Sequence, residues 1–151
     1  MSRYLRLAPL LAACGLAACS GGPDTSYVSA LPGPTDATVI ATGIGEFMRT
    51  QFPAASTTLV LDPTQADQAS NGLTPVLADD LRQQGFAVAE AAGSAGAHTL
   101  RYWVTPLDAS GELVRLMIDG HQQAARFFVR NTAGTLQSGG PFTVMRMGAA
   151  T

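Results

Sequence analysis

Apolar positions along this chain recur with two periods, first near four and later near two. Ile40, Ile44, Phe47 and Met48 stand at i, i+4, i+7 and i+8, the spacing of one helix face. Asp36 is placed to cap the helix and Pro53 to end it near Phe52. Gly43 and Gly45 fall inside it, at a cost of about 1 kcal/mol each relative to Ala, so this helix is expected to depend on packing or to admit a close neighbour. Thr57 to Leu61 (TTLVL) reads as a short strand stopped by Asp62-Pro63. Leu73, Leu77 and Leu81, with Val76 beside them, predict a second amphipathic helix. It begins at Asn71 or at Thr74-Pro75, and Gly85 suits its C′ position. Phe86 to Glu90 follows as a strand, then a loop of small residues, Ala91 to Ala97.

The last third is β-patterned. His98 to Asp108, Leu113 to Asp119 and Gln122 to Asn131 are separated by Ala109-Ser110-Gly111 and Gly120-His121, gaps short enough for an antiparallel meander. Thr143 to Met147 adds a final strand. The resulting order, α-β-α-β-β-β-β, predicts an α+β fold with two helices packed on one face of a mainly antiparallel sheet. Parity then assigns the faces. Leu100, Tyr102 and Val104, with Val114, Leu116 and Ile118 and with Ala125, Phe127 and Val129, are expected to meet the helices. The opposite face then receives Arg101, Trp103, Arg115, Met117, Arg126, Phe128 and Arg130. Arginine interleaved with large apolar side chains is the composition of protein-contact surfaces, so these seven residues form a candidate partner-binding face. The plain alternative is a solvated sheet surface on which arginine stems cover apolar neighbours.

The amino terminus follows a different pattern. Arg3 and Arg6 precede an unbroken apolar run, Leu7 to Ala18 (LAPLLAACGLAA), the layout of a secretory signal peptide. Twelve helical residues span about 18 Å, short of the roughly 30 Å hydrocarbon core. Leu16-Ala17-Ala18-Cys19 has the form of a bacterial lipobox, in which small residues admit the peptidase beside a lipidated cysteine. Leu11-Ala12-Ala13-Cys14 has the same form but leaves a shorter apolar run, so Cys19 is the preferred lipid attachment site and Cys14 the second candidate. Ser20 rather than Asp after the cysteine favours delivery to the outer membrane. Ser20 to Thr35 is rich in Gly and Pro and reads as a flexible tether. Tyr27, Val28 and Leu31 are apolar exceptions able to dock as a short extended peptide. The division is therefore a signal peptide over 1–18, a lipidated linker over 19–35 and a single domain over 36–151.

Composition narrows the chemistry. The 151 residues carry nine basic residues, all Arg, against eleven acids, for a net charge of −2. Loss of Arg3 and Arg6 with the signal leaves seven against eleven, or −4, which gives no electrostatic case for binding nucleic acid. Both cysteines lie in the signal region, so no disulfide, thiolate metal site or cysteine nucleophile is expected. Gly43-Ile44-Gly45 lacks the preceding strand and third glycine of a dinucleotide loop. His98 and His121 have no metal-ligand spacing, and Asp79-Asp80 sits on the polar side of the second helix. No nucleophile motif is present. The chain is expected not to be an enzyme and to use no metal, small-molecule substrate or cofactor beyond covalent lipid.

Several segments, in order, resemble the TrbH family of conjugal transfer lipoproteins: the LAAC lipobox, Gln51-Phe52-Pro53-Ala54-Ala55-Ser56-Thr57-Thr58-Leu59, and Leu77-Ala78-Asp79-Asp80-Leu81-Arg82-Gln83-Gln84-Gly85-Phe86-Ala87-Val88. The stretch Gly111 to Leu116 through Gln123 to Val129, closing on Ser138-Gly139-Gly140-Pro141-Phe142-Thr143, is similar too. The resemblance implies an outer-membrane-associated lipoprotein, on the periplasmic side, that helps assemble the mating-pair-formation (type IV secretion) channel for plasmid transfer. Its implied partners are the membrane, through the lipid, and other envelope proteins of the channel. Only Cys19 matches a functional position of the family. The alternative is a general or pilotin-like envelope lipoprotein unconnected with conjugation.

Overall fold

The computed structural model describes residues 26–28, 32–62, 72–89 and 96–146. The expected signal peptide, Cys14, Cys19 and Leu31 lie outside the described residues.

The elements are β1 (Tyr27–Val28), α1 (Pro34–Gln51), β2 (Thr58–Leu61), α2 (Leu73–Gln83), β3 (Ala87–Ala89), β4 (His98–Leu107), β5 (Gly111–Ile118), β6 (Gln122–Arg130), β7 (Leu136–Ser138) and β8 (Thr143–Arg146). The class is α+β, as the sequence predicts, but the sheet is mixed. Its order is β3-β2-β4-β5-β6-β7, with β1 on β4 and β8 on β6. β2 is parallel to both β3 and β4, and β1 is parallel to β4. The expected antiparallel sheet is corrected on this side for a topological reason: α2 lies between β2 and β3, and a strand returned by a helix comes back parallel. β1 and β7 are additions to the expected order.

Helix α1 starts two residues before the expected cap. Gly33 is the N-cap and Pro34 occupies the first turn, where its missing N–H costs nothing. Asp36 therefore lies in the first turn and is free to bond elsewhere. Helix α2 starts at Leu73 behind Gly72, which is left-handed at φ 71°. It ends as the sequence predicts. Gly85 takes φ 96°, its N–H bonds the Arg82 carbonyl and the Phe86 N–H bonds that of Leu81, the paired closure that a left-handed C′ glycine permits. Phe86 and Leu81 are both buried against the core.

The two glycines of α1 are close-approach sites. A Cβ on Gly45 would lie 2.3 Å from Asp80 Oδ2, and one on Gly43 2.8 Å from Phe128 Cζ. Helix α2 approaches one and the sheet the other. Asp80 occupies the first gap, accepting hydrogen bonds from Thr42 Oγ1 (3.1 Å) and Gln84 Nε2 (2.5 Å). Ile40, Ile44, Met48, Leu73, Leu77 and Leu81 form one core with the inward side of the sheet: Leu59, Leu61, Leu100, Tyr102, Val104, Val114, Leu116, Ile118, Ala124 and Phe128. The Tyr102 hydroxyl meets the Thr74 hydroxyl within this core.

Parity holds in β4 and β5 and inverts in β6. The pairing Ile118↔Gln122, Leu116↔Ala124, Val114↔Arg126 and Glu112↔Phe128 leaves a three-residue loop, Asp119 to His121. A two-residue Gly120-His121 turn would pair Asp119 with Gln122. The extra residue is Asp119, held at φ 52°, whose carboxylate accepts the Thr99 N–H (2.9 Å) and contacts His98 Nδ1 (2.7 Å). A one-residue change of register turns every side chain of a strand over. Ala124 and Phe128 therefore enter the core, while Phe127 is 54% exposed and Val129 37% exposed.

Candidate functional site

The inversion divides the seven residues of the predicted face. Arg101, Trp103, Arg115 and Met117 do share the side away from the helices, since Trp103 registers with Arg115 and Arg101 with Met117. Arg126, Phe128 and Arg130 lie on the helix side and are no part of that surface.

Each of these three is engaged in the fold. Phe128 is fully buried beneath Gly43. The Arg126 guanidinium carbon lies 5.2 Å from the centroid of the Phe128 ring and 5.4 Å from that of Phe142, a cation held against two aromatic rings. Phe142 in turn packs on Phe47 of α1, with centroids 4.6 Å apart. Arg130 Nη2 bonds Asp36 at 2.7 Å and stands 3.8 Å from Glu112 Oε1, while its Nη1 bonds the Gly134 carbonyl. Arg130 thus ties the start of α1 to β5 and to the β6–β7 loop.

Glu112 sits in this cluster at 8% exposure, with Oε2 unbonded among the described residues. Burial pushes its carboxyl above the ordinary value; Arg130 draws it down and Asp36 pushes it up, both by less. The native state therefore holds this proton more tightly than the unfolded chain. The stabilising effect is complete below the ordinary carboxylate range and is lost as pH rises through the native value. Glu112→Gln should accordingly raise the unfolding midpoint at about pH 7.5, with the gain vanishing near pH 4. Thermal melts at the two pH values check this, and a lower midpoint at neutral pH would mean that the Arg130 contact outweighs the burial.

On the other side, strand register brings together residues distant in sequence. One row across the sheet is Tyr27, Trp103, Arg115, Ala125 and Thr143; beside it run Arg101, Met117, Gln123 and Met145. Trp103 and Met117 lie low in this surface, at 6% and 7% exposure. Together with Arg115, Gln123, Ala125 and Met145 they line a shallow cleft. Trp103 Nε1 has no acceptor among the described residues. Arg101 Nε is paired with Asp62 Oδ2 at 2.5 Å. Tyr27, Phe127, Val129 and Met145 belong to this surface and were not on the predicted face. Periodicity was no guide to them because β6 is apolar at both parities, with Ala124, Ala125, Phe127, Phe128 and Val129 nearly consecutive. Tyr27 lies in the Gly- and Pro-rich stretch, where only its apolar character marks it.

The groups that sequence chemistry weighed are engaged structurally. His98 pairs with Asp119 and stacks on Phe52 at 4.2 Å, and Asp79 pairs with Arg82 along α2. No group of three or more His, Cys, Asp or Glu is placed to hold a metal ion among the described residues. No helix among them is long and apolar enough to cross a membrane.

The family model for conjugal transfer protein TrbH matches residues 21–148. The chain belongs to the TrbH family. The matched stretch runs from before β1 to beyond β8, so the whole described TrbH fold lies within it, and it begins after Cys19. Neither a curated protein nor a solved structure matches the chain.

Proposed function

We propose that this TrbH-family chain is an outer-membrane-associated lipoprotein, anchored by acyl chains on Cys19, that serves as a non-enzymatic structural component of the type IV secretion apparatus in plasmid transfer. The observation that carries this reading is the family match over 21–148 directly behind an apolar run ending in Leu16-Ala17-Ala18-Cys19. Further support comes from the domain's polar groups. His98, Asp80 and Asp119 are tied into contacts that hold elements together, which suits a scaffold. Three acyl chains, as on a mature bacterial lipoprotein, hold a protein at a membrane where a single chain is marginal.

The reading predicts that the chain incorporates labelled palmitate in a bacterial host, that Cys19→Ser abolishes the label, and that Cys14→Ser retains it. The reverse pattern would move the anchor to Cys14, and absence of label from the parent chain would remove the lipoprotein assignment. Deletion of the gene from a conjugating donor should reduce plasmid transfer, with rescue by the parent chain and not by Cys19→Ser. Undiminished transfer by the deletion strain would count against a role in the channel.

A further inference from the structure

We propose that the sheet surface facing away from the helices is a membrane-contact face, which seats on the headgroups of the bilayer that carries the lipid anchor. The proposal rests on the lipidation of Cys19 put forward above, and three independent observations lead to it.

The first is where the exposed apolar side chains lie. Five large hydrophobic residues are prominently exposed among the described residues: Tyr27 (52%), Phe127 (54%), Val129 (37%), Val144 (40%) and Met145 (55%). Register places four of them, all but Val144, on this one surface. A concentration of that kind marks a surface built to meet an apolar or amphipathic partner.

The second is charge. Within the described strands this surface carries Arg101 and Arg115 and no carboxylate. Arg101 is neutralised by Asp62, while Arg115 is exposed and has no ion-pair partner among the described residues. Aromatic residues, aliphatic side chains and an uncompensated arginine match a phospholipid surface, where rings sit at headgroup level and a guanidinium meets phosphate. A second copy of the chain fits less well. A two-fold contact across this face would desolvate Arg115 against strands that carry no acid among the described residues, and the acids at its margin, Asp62 and Asp119, are already bonded to Arg101 and to His98 and the Thr99 N–H.

The third is reach. Ser26 is fixed in the sheet, 1% exposed, with its Oγ donating to the Asp62 carbonyl and accepting the Tyr102 N–H, each at 3.1 Å. This closes the gap where β2 leaves the edge of β4 and lets β1 begin. Seven residues from Cys19 to Ser26 span at most about 24 Å even fully extended. Strand β4 alone, at ten residues, is roughly 33 Å long. An acylated Cys19 therefore holds the domain against the bilayer rather than clear of it, and Tyr27, the residue after Ser26, opens onto the apolar surface. Because the anchor already fixes the domain at the membrane, weak individual contacts suffice to orient it.

The test uses the full lipidated chain in vesicles of phosphatidylethanolamine and phosphatidylglycerol, with or without phospholipid brominated near the headgroup end of its acyl chains. Trp103 is the chain's single tryptophan, so one probe can be moved. In the Trp103→Phe, Phe127→Trp double variant the brominated lipid should remove about half of the emission, as for a side chain at the headgroup–acyl boundary. In the Trp103→Phe, Glu46→Trp variant, whose probe stands on the exposed side of α1, emission should be unchanged. Adding Arg115→Glu should reduce the quenching seen with the Phe127→Trp probe. Equal quenching at both positions, or none at position 127 while the protein floats with the vesicles, overturns the face assignment and leaves lipid anchoring intact. Failure to float, with no acyl label on the protein, overturns the anchoring on which the assignment rests.

Discussion

Gly111→Ala should cost about 3–5 kcal/mol, a large share of the roughly 5–15 kcal/mol that holds a domain of ordinary stability folded. Gly111 opens β5 at φ 154° and ψ −154°, a region open essentially to glycine alone. A Cβ there would stand 1.9 Å from the Phe128 carbonyl oxygen and 2.9 Å from Val129 Cα. Both obstacles are main chain, so no rotamer change relieves them, and β5 and β6 would have to part where Gly111 pairs with Val129. Chemical denaturation of the two proteins measures the difference. A loss below about 1 kcal/mol would show that the strands separate locally at little cost.

Phe128→Ala and Phe127→Ala should behave in opposite ways although the residues are adjacent. Phe128 is fully buried, stacked under Gly43 and beside Arg126, and its loss should cost about 3–5 kcal/mol through transfer and cavity terms. Arg126 would also lose one of its two rings. Phe127 is 54% exposed, and its truncation should change stability by no more than about 0.5 kcal/mol while weakening vesicle contact. Parity read from sequence predicts the reverse assignment, Phe127 in the core and Phe128 at a partner. Unfolding midpoints of the two variants decide between the registers, and a larger loss from Phe127→Ala would overturn the pairing of β5 with β6.

The contrast between β4 and β6 shows where sequence reading succeeds. β4 alternates Leu100, Arg101, Tyr102, Trp103 and Val104, and its core set is confirmed because it pairs through Leu107↔Gly111 with a β5 that alternates as clearly. β6 offers no such pattern, so its facing depended on the length of one turn. Whether that turn holds two residues or three was settled by Asp119, whose carboxylate binds the Thr99 N–H and His98 across the sheet. These contacts are twenty or more residues apart and leave no local signature. The facing of side chains follows accordingly: Arg101, Trp103, Arg115 and Met117 share one side of the sheet as parity predicts, and on β6 that side is taken by Phe127 and Val129 in place of Arg126, Phe128 and Arg130.

Local features carried the class of the fold, both helices, the glycine that closes α2, the close approaches at Gly43 and Gly45, and the resemblance to TrbH. Each follows from residues a few positions apart, where helical spacing, backbone freedom and turn chemistry act directly on the chain. The parallel half of the sheet, the docking of Tyr27–Val28 as a strand, the Asp36–Arg130–Glu112 cluster and the composition of the open face emerged with long-range pairing. Pairing partners far apart in the chain are chosen by the combined burial of many side chains, and a one-residue shift in that choice exchanges core for surface along an entire strand.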